Sequence, residues 1–293
     1  MPKIIIDTDI GGDVDDVLAL ALALNSPELE VLAVTTVNTD PAMRARIAAK
    51  QLRVFGRADI PVASGAKDQF DGSPTSCKDI NQAVLLDLAD PPAPTSIAED
   101  LIIKTVQEHD DIILVGIGCY TNIAKAFKKA PDVMQRLNRL VLMGAKLESP
   151  AWESNINDDP SAAAYVFGLP VGKVLVTYDV SVKCRYQRHR HSDLEEAGHP
   201  RAKFLADAIE AWQNGRFAGN RTVEPWLYDP LTLGILIDPS LVEQTEEICV
   251  GMRLDPDAPH PVAVVQDGPP NVEVVHKVDR MKFEEMFSER IKR

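Results

Sequence analysis

The sequence is poor in aromatic residues and has no long apolar run. Aromatic residues make up 5% of the 293 residues, whereas hydrophobic residues of all kinds make up 45%. The core must therefore consist mainly of Ala, Val, Leu and Ile, which are the usual residues of a buried parallel sheet covered by helices. No apolar run reaches the roughly 18 residues of a membrane span, and Ile4–Ile6 is too short for the core of a signal peptide. We therefore expect a cytoplasmic protein with no membrane partner.

Positive charge is also scarce. Lys and Arg total 31 against 44 for Asp and Glu, and the formal net charge is -13. A surface this acidic repels phosphate backbones and anionic lipids, so we expect no nucleic-acid partner. The excess acid is either ordinary solubilising charge or, in part, a local cluster that binds a cation.

Cysteine is rare and widely spaced. Cys77, Cys119, Cys184 and Cys249 include no CxxC pair and no zinc-ligand spacing. This spacing predicts reduced, mostly buried thiols, as in a cytosolic protein.

Short β-branched runs alternate with helical patterns along the chain, which predicts βαβ units and an α/β fold with a mostly parallel sheet. Internal repeats are absent, and we expect a single domain over residues 1–293. The predicted strands are Lys3–Ile6, Val31–Thr36, Ile112–Val115, Arg139–Met143 and Val174–Thr177, with extended runs at Ile248–Arg253, Val262–Val265 and Val272–His276. The predicted helices are Val14–Leu24, Ala42–Phe55, Asn122–Lys129, Ser161–Phe167, Asp193–Trp212 and Arg280–Ile291.

Five carboxylates crowd into the loop after the first predicted strand: Asp7, Asp9, Asp13, Asp15 and Asp16. In an open α/β sheet, ligands bind at the carboxyl ends of the strands, where this loop must lie. So many carboxylates cannot all ionise in a confined site without a cation, and oxygen ligands favour calcium or magnesium over zinc. An ordinary acidic helix N-terminus is the alternative for Asp13 and Asp15.

A phosphatase with an aspartyl nucleophile is a second alternative. Such enzymes also carry two Asp residues, one residue apart, after a first buried strand. Here Gly11 stands where their pattern has a Thr or Val, and a further acidic pair follows. The sequence therefore favours a cation site over a phosphoryl-transfer site.

Several segments together resemble the inosine–uridine nucleoside hydrolase family. The family signature, D-x-D-x-G followed by D-D, is matched by Asp7–Gly11 and Asp15-Asp16, with Asp13 as an additional residue. Four further segments match in the family's order: Val37-Asn38, the turn Gly118–Ala124, the segment Glu153–Pro160 and Tyr228–Leu231. The resemblance implies a doubly wound, single-domain fold with helices on both faces of the sheet, and a homodimer or homotetramer.

The resemblance also implies a calcium-dependent hydrolase that splits a nucleoside or related N-riboside into ribose and free base. By similarity, Asp9, Asp16, Asp229 and a main-chain carbonyl near Thr121 would bind Ca2+. Asp9 would also act as general base on a calcium-bound water, with inversion at the sugar carbon. The residues that would contact the ribose are Asp15, Asn38, Met143, Glu153 and Asn155.

Structural roles remain open for several of these residues. Asn38 could cap the following helix, and Asp229-Pro230 could begin a helix over Leu231–Ile237 with Asp229 as its N-cap. Glu153 and Asn155 would share a face if their segment is extended.

The leaving-group side departs from the family pattern. Tyr228 stands where well-studied members carry a His that protonates the base, and a neutral tyrosine is a much weaker acid near pH 7. Other candidates on this side are His189 and His191, which an exposed basic loop would explain equally well, and Trp226, which could stack on a base. A calcium-dependent riboside-binding protein without turnover is therefore a further alternative.

Overall fold

A computed structural model describes residues 1–75, 78–254 and 260–293, apart from the side chains of His189, His191, Glu195 and Leu254. The strands are β1 Lys3–Thr8, β2 Glu30–Thr36, β3 Val62–Ser64, β4 Ile112–Gly116, β5 Arg139–Met143, β6 Lys173–Val176, β7 Val242–Ile248, β8 Val250–Leu254, β9 Pro261–Val265 and β10 Val272–Val278. The helices are α1 Asp15–Leu24, α2 Pro41–Val54, α3 Ala98–Glu108, α4 Thr121–Lys129, α5 Pro131–Met134, α6 Ser154–Asn157, α7 Pro160–Phe167, α8 Tyr178–Ser181, α9 His191–Ala197, α10 Pro200–Phe217, α11 Tyr228–Ile237 and α12 Arg280–Ile291.

Eight strands form one sheet in the order β3-β2-β1-β4-β5-β6-β10-β7. The pairings from β3 to β10 are parallel, and β7 pairs antiparallel with β10 at the edge. β8 and β9 form a separate antiparallel pair. The expected mostly parallel α/β fold is confirmed.

The core lies in two layers, one on each face of the sheet. Alternation along β1 sends Ile4 and Ile6 to one layer and Ile5 to the other. Helices α1, α10, α11 and α12 contribute to the first layer, and α3, α4 and α7 to the second. The doubly wound arrangement is thereby confirmed.

Strand β1 lies between β2 and β4: the chain continues outward from β1 to β2 and β3, and then crosses to β4 on the other side of β1. A crevice forms at such a switch point, outside the carboxyl ends of the strands, and ligands bind there in open α/β folds. The acidic loop after β1 lies at this point.

The single helix expected over Asp193–Trp212 is wrong. The segment forms α9 and α10, separated by Gly198 at φ +65° and by His199 in an extended conformation before Pro200. A left-handed glycine ends a helix, and the residue before a proline is driven out of the helical region.

Other elements also differ from the sequence expectations. β3 and α3 lie in a stretch to which no element was assigned, and the extended run predicted at Ile248–Arg253 divides between β7 and β8. β7 is a mostly exposed edge strand with the sequence VEQTEEI, and charged residues of this kind protect sheet edges from further pairing. A prediction based on apolar runs misses β7, because most of its residues are polar or charged.

Among the described residues, no helix is long and apolar enough to cross a membrane. Cys119 and Cys184 are buried free thiols and Cys249 is a partly buried one, as expected. Cys77 lies outside the described residues.

Candidate active site

A cavity of about 620 Å³ opens at the carboxyl ends of the central strands. Gly11 forms the turn of the acidic loop at φ +119°, and a Cβ atom there would lie 2.7 Å from the Ile80 side chain. Both the backbone angle and the close contact require glycine. Residues that line the cavity include Asp9, Asp15, Asp16, Arg44, Lys78, Ile117, Met143, Lys146, Trp152, Glu153, Asn155, Tyr178, Arg216, Tyr228 and Asp229.

Three carboxylates converge on one wall of this cavity. Asp15 and Asp16 come from the first turn of α1, and Asp229 comes from the first turn of α11. Each offers a carboxylate oxygen within 4.8 Å of the other two, and all three residues are buried. Burial raises the pKa of each carboxyl well above its usual value, and the neighbouring aspartates raise it further. The three carboxyls therefore resist ionising together, and a bound cation in place of their protons would stabilise the ionised form.

Asp229 does not cap a helix, so that alternative is wrong. α11 begins at Tyr228 with Leu227 as its N-cap, which places Asp229 inside the first turn. Its main-chain N–H lies 3.4 Å from Asp15 Oδ2. The carboxylate of Asp229 therefore makes no capping bond and faces those of Asp15 and Asp16.

Asp9 lines the same cavity but lies outside the group of three converging carboxylates. Its main-chain carbonyl accepts a hydrogen bond from Arg44, a buried guanidinium that also donates to the carbonyls of Ile10 and Asn38 at 3.0 Å. Arg44, which the sequence analysis missed, thus holds the acidic loop against the end of β2.

Asn38 is not a helix cap. It adopts φ +75°, and Asp40 caps α2 by accepting from Met43 N at 3.0 Å. The Asn38 side-chain amide donates to Asp158 at 2.7 Å and lies 3.4 Å from Asp9 Oδ2. Asp158 also pairs with Lys78, so Asn38 belongs to a polar network beside Asp9.

Glu153 and Asn155 line the cavity from α6 and its N-cap rather than from an extended segment. Glu153 caps α6 by accepting from Asn155 N and Ile156 N at 3.1 Å, and it accepts from Ala145 N at 3.0 Å. The Asn155 amide donates to the carbonyls of Ile117 at 3.0 Å and Met143 at 3.3 Å. These bonds fix both side chains against the ends of β4 and β5.

Thr121 and Ile117 have different surroundings. Thr121 is the first residue of α4, and its buried hydroxyl donates to Asp159 at 2.6 Å. A carbonyl at this position points along the helix axis. Ile117 lines the cavity, which makes its carbonyl the better placed of the two for a ligand.

An aromatic stack forms another wall. The Tyr228 ring stacks on Tyr178, with centroids 5.6 Å apart, and on Trp226 at 6.2 Å. Burial raises the pKa of Tyr228. Tyr228 and Tyr178 line the cavity. Trp226 backs Tyr228 and packs edge-on against the buried Trp212.

The two histidines predicted for the leaving-group side lie in the segment between α8 and α10. His189 lies in the short helical turn Arg188–Arg190 and His191 begins α9. Their side chains lie outside the described part of the structure.

Asp13 is the additional acid of the loop. α1 has Val14 as its N-cap with no side-chain capping bond, so Asp13 is not a cap. One carboxylate oxygen of Asp13 accepts from Val14 N at 2.9 Å, and the other pairs with Arg216 of α10 at 2.7 Å.

Comparisons with known proteins agree on one family. The sequence model described as inosine-uridine preferring nucleoside hydrolase matches residues 4–285. The pyrimidine-specific ribonucleoside hydrolase RihA of Escherichia coli O1:K1 is 31% identical, over 99% of this chain and 98% of that protein. Among solved structures, a plant nucleoside hydrolase, PpNRh1, matches with a TM-score of 0.86 at 26% identity, over 99% of both chains. A purine-preferring ribonucleoside hydrolase from Gardnerella vaginalis matches with a TM-score of 0.82 at 27% identity, over 99% of this chain and 98% of that one.

Proposed function

We propose that this chain, which belongs to the inosine-uridine preferring nucleoside hydrolase family and is an N-glycosyl hydrolase, cleaves ribonucleosides with the help of calcium. The observation that carries the proposal is the convergence of Asp15, Asp16 and Asp229 within 4.8 Å of one another, all buried. The family uses a metal ion. A metal site accounts for three buried carboxylates that lie close together, whereas the packing of a hydrophobic core does not.

The donor set suits calcium. The available ligands are carboxylate and carbonyl oxygens, which hard divalent cations prefer, and the cavity lining offers no described cysteine or histidine that would select zinc. Asp16 and Asp229 of this cluster would hold the ion together with Asp9, which lines the same cavity and whose charge raises the pKa of both carboxyls. The carbonyl of Ile117 rather than that of Thr121 would complete the protein ligands. Bound calcium would act as a Lewis acid that makes water a better nucleophile.

The chain's own residues bind the ribose and remove a proton. Asp9 accepts the proton of the attacking water. Asp15, Asn38, Glu153 and Asn155 hold the sugar, with Met143 beneath it. Their carboxylate and amide oxygens favour the positive charge that develops on the ribose ring as the bond to nitrogen breaks.

The atoms of the reaction balance without a further reactant. Water gives its hydroxyl to C1′, the C1′–N bond pair leaves with the base, and the base nitrogen takes up one proton. Direct attack from the face opposite the base inverts C1′. The substrate is a small nucleoside or N-riboside, and we expect a cytoplasmic homodimer or homotetramer.

Release of reducing sugar from a panel of purine and pyrimidine nucleosides tests the proposal. We expect calcium-dependent release by the wild type and a loss of at least a hundredfold in kcat for Asp9→Ala, since general-base catalysis contributes about 10²–10⁴-fold. The matched control is Asp207→Ala, on the exposed face of α10. A wild type that binds nucleosides but releases no sugar would favour the riboside-binding alternative.

Two measurements address the finer parts of the mechanism. Elemental analysis of the purified protein distinguishes calcium from magnesium. Proton NMR of the first ribose anomer released tests inversion, because a covalent intermediate would give retention instead.

A further inference from the structure

Four cationic side chains line the cavity, and three of them are already engaged. Lys78 pairs with Asp158, Arg216 pairs with Asp13, and Arg44 donates to main-chain carbonyls. The fourth is Lys146, which forms no ion pair with any acidic side chain in the described part of the chain. A cation that lines a cavity without an anionic partner is available to an anionic ligand.

Lys146 is held in place by its neighbours on both sides. The carbonyl of Ala145 accepts from Tyr178 N at 2.9 Å, and Leu147 N donates to Asp179 at 2.7 Å. Both bonds tie the segment to the first turn of α8. The Lys146 ammonium lies 5.2 Å from the centre of the Tyr178 ring, a cation–π contact that restrains the side chain while leaving its donors free.

This position lies between the two halves of the cavity. Ala145 N donates to Glu153 at 3.0 Å, which connects Lys146 to the proposed ribose side. Tyr178 stacks on Tyr228, which connects it to the proposed leaving-group side. Lys146 therefore lies where it can reach a substituent of either the sugar or the base.

We propose that Lys146 forms an anion subsite that selects N-ribosides carrying a negatively charged group. The group is a carboxylate on the base or a phosphate on the ribose, both of which an ammonium binds by charge-assisted hydrogen bonds. This inference rests on the proposed function, since it assumes that the ribose lies beside the carboxylate cluster.

Three substrates that differ by one anionic group test the subsite: uridine, orotidine with a carboxylate on the base, and uridine 5′-monophosphate with a phosphate on the ribose. We expect the wild type to prefer one of the two anionic substrates to uridine in kcat/KM. Lys146→Met should lower kcat/KM for that substrate about tenfold or more relative to uridine, as loss of a charged hydrogen bond does. Lys146→Arg should retain part of the preference.

Lys104→Met is the matched control, because Lys104 is exposed on α3. A wild type that cleaves uridine but prefers neither anionic substrate overturns the subsite while the proposed function stands. A preference for an anionic substrate that survives in Lys146→Met also overturns the subsite and leaves the proposed function standing. If no riboside is cleaved, the proposed function fails and the inference fails with it.

Discussion

The carboxylate of Asp13 and the guanidinium of Arg216 lie 2.7 Å apart, although 203 residues separate them in the sequence. Their ion pair joins the acidic loop after β1 to the last turn of α10. Beside it, Gly215 lies so close to Asn81 that a Cβ atom would stand 2.2 Å from the Asn81 side chain. α10 therefore closes one side of the cavity over the loop that carries the candidate metal ligands.

A double-mutant cycle with Asp13→Asn and Arg216→Gln measures this link. Both side chains are partly exposed, at 29% and 54%, so we expect a coupling of about 0.2–1 kcal/mol in the free energy of unfolding. Urea denaturation at low and high salt gives the measurement, and the coupling should fall at high salt. Additive single-variant effects at low salt would show that the pair contributes nothing.

Calcium should stabilise the fold through the carboxylate cluster. At 100 times its Kd, a ligand that binds only the folded state adds about 2.7 kcal/mol. Asp229→Asn should lose most of this shift. In the metal-free protein the same variant should be at least as stable as the wild type, because one of three crowded carboxylates is gone. Thermal unfolding with calcium or with a chelator measures both effects.

Asp207→Asn is the control for the metal prediction, because its side chain is 42% exposed on α10. It should keep the full calcium shift. A calcium shift in Asp229→Asn equal to that of the wild type would place the ion elsewhere.

Asp7 should make the metal-free protein less stable as the pH rises. Burial raises the pKa of Asp7 to about 7 from 3.8, despite hydrogen bonds from Thr35 at 2.6 Å and Asn122 at 2.7 Å. Between these two values the folded state binds more protons than the unfolded state, so the free energy of unfolding falls as the pH increases. The full loss is at most about 4 kcal/mol.

The comparison that isolates this effect is Asp7→Asn against the wild type, by urea denaturation from pH 4 to 8 with chelator present. The variant should become relatively more stable as the pH rises from about 4 to about 7. A stability difference that does not change over this range would mean that Asp7 ionises in the folded state as it does in the unfolded chain.

Tyr228 should not be the acid that protonates the base. Burial raises its pKa, so the phenol holds its proton more tightly than an ordinary tyrosine. Tyr228→Phe keeps the stacking on Tyr178 and Trp226, and we expect kcat within a few-fold of the wild type with an unchanged pH profile. A loss of about 10²-fold or more would be the effect of removing a general acid and would contradict this.

Local pattern was sufficient for much of the fold. The buried runs at Ile4–Ile6 and Arg139–Met143 and the helical pattern of Arg280–Ile291 predicted their elements, because side-chain periodicity is a property of a few consecutive residues. The crowding of Asp15 and Asp16 after a buried strand likewise predicted a cation site. Local pattern failed for the charged edge strand β7 and for the division between α9 and α10, where one glycine and one proline outweigh the helical pattern.

The sequence by itself determined that the acids after β1 lie at the carboxyl edge of a parallel sheet, since that follows from the order of strands and helices. Only the tertiary structure decided which side chains meet them there. Asp229 reaches Asp15 across 214 residues, and Arg44, Lys78 and Lys146 had no signal in their own neighbourhood. Their roles arise from contacts between elements distant in the chain, which depend on how helices pack on the sheet rather than on any local preference. A contact of this kind also accounts for Asp13, the additional acid of the loop, because its carboxylate pairs with Arg216.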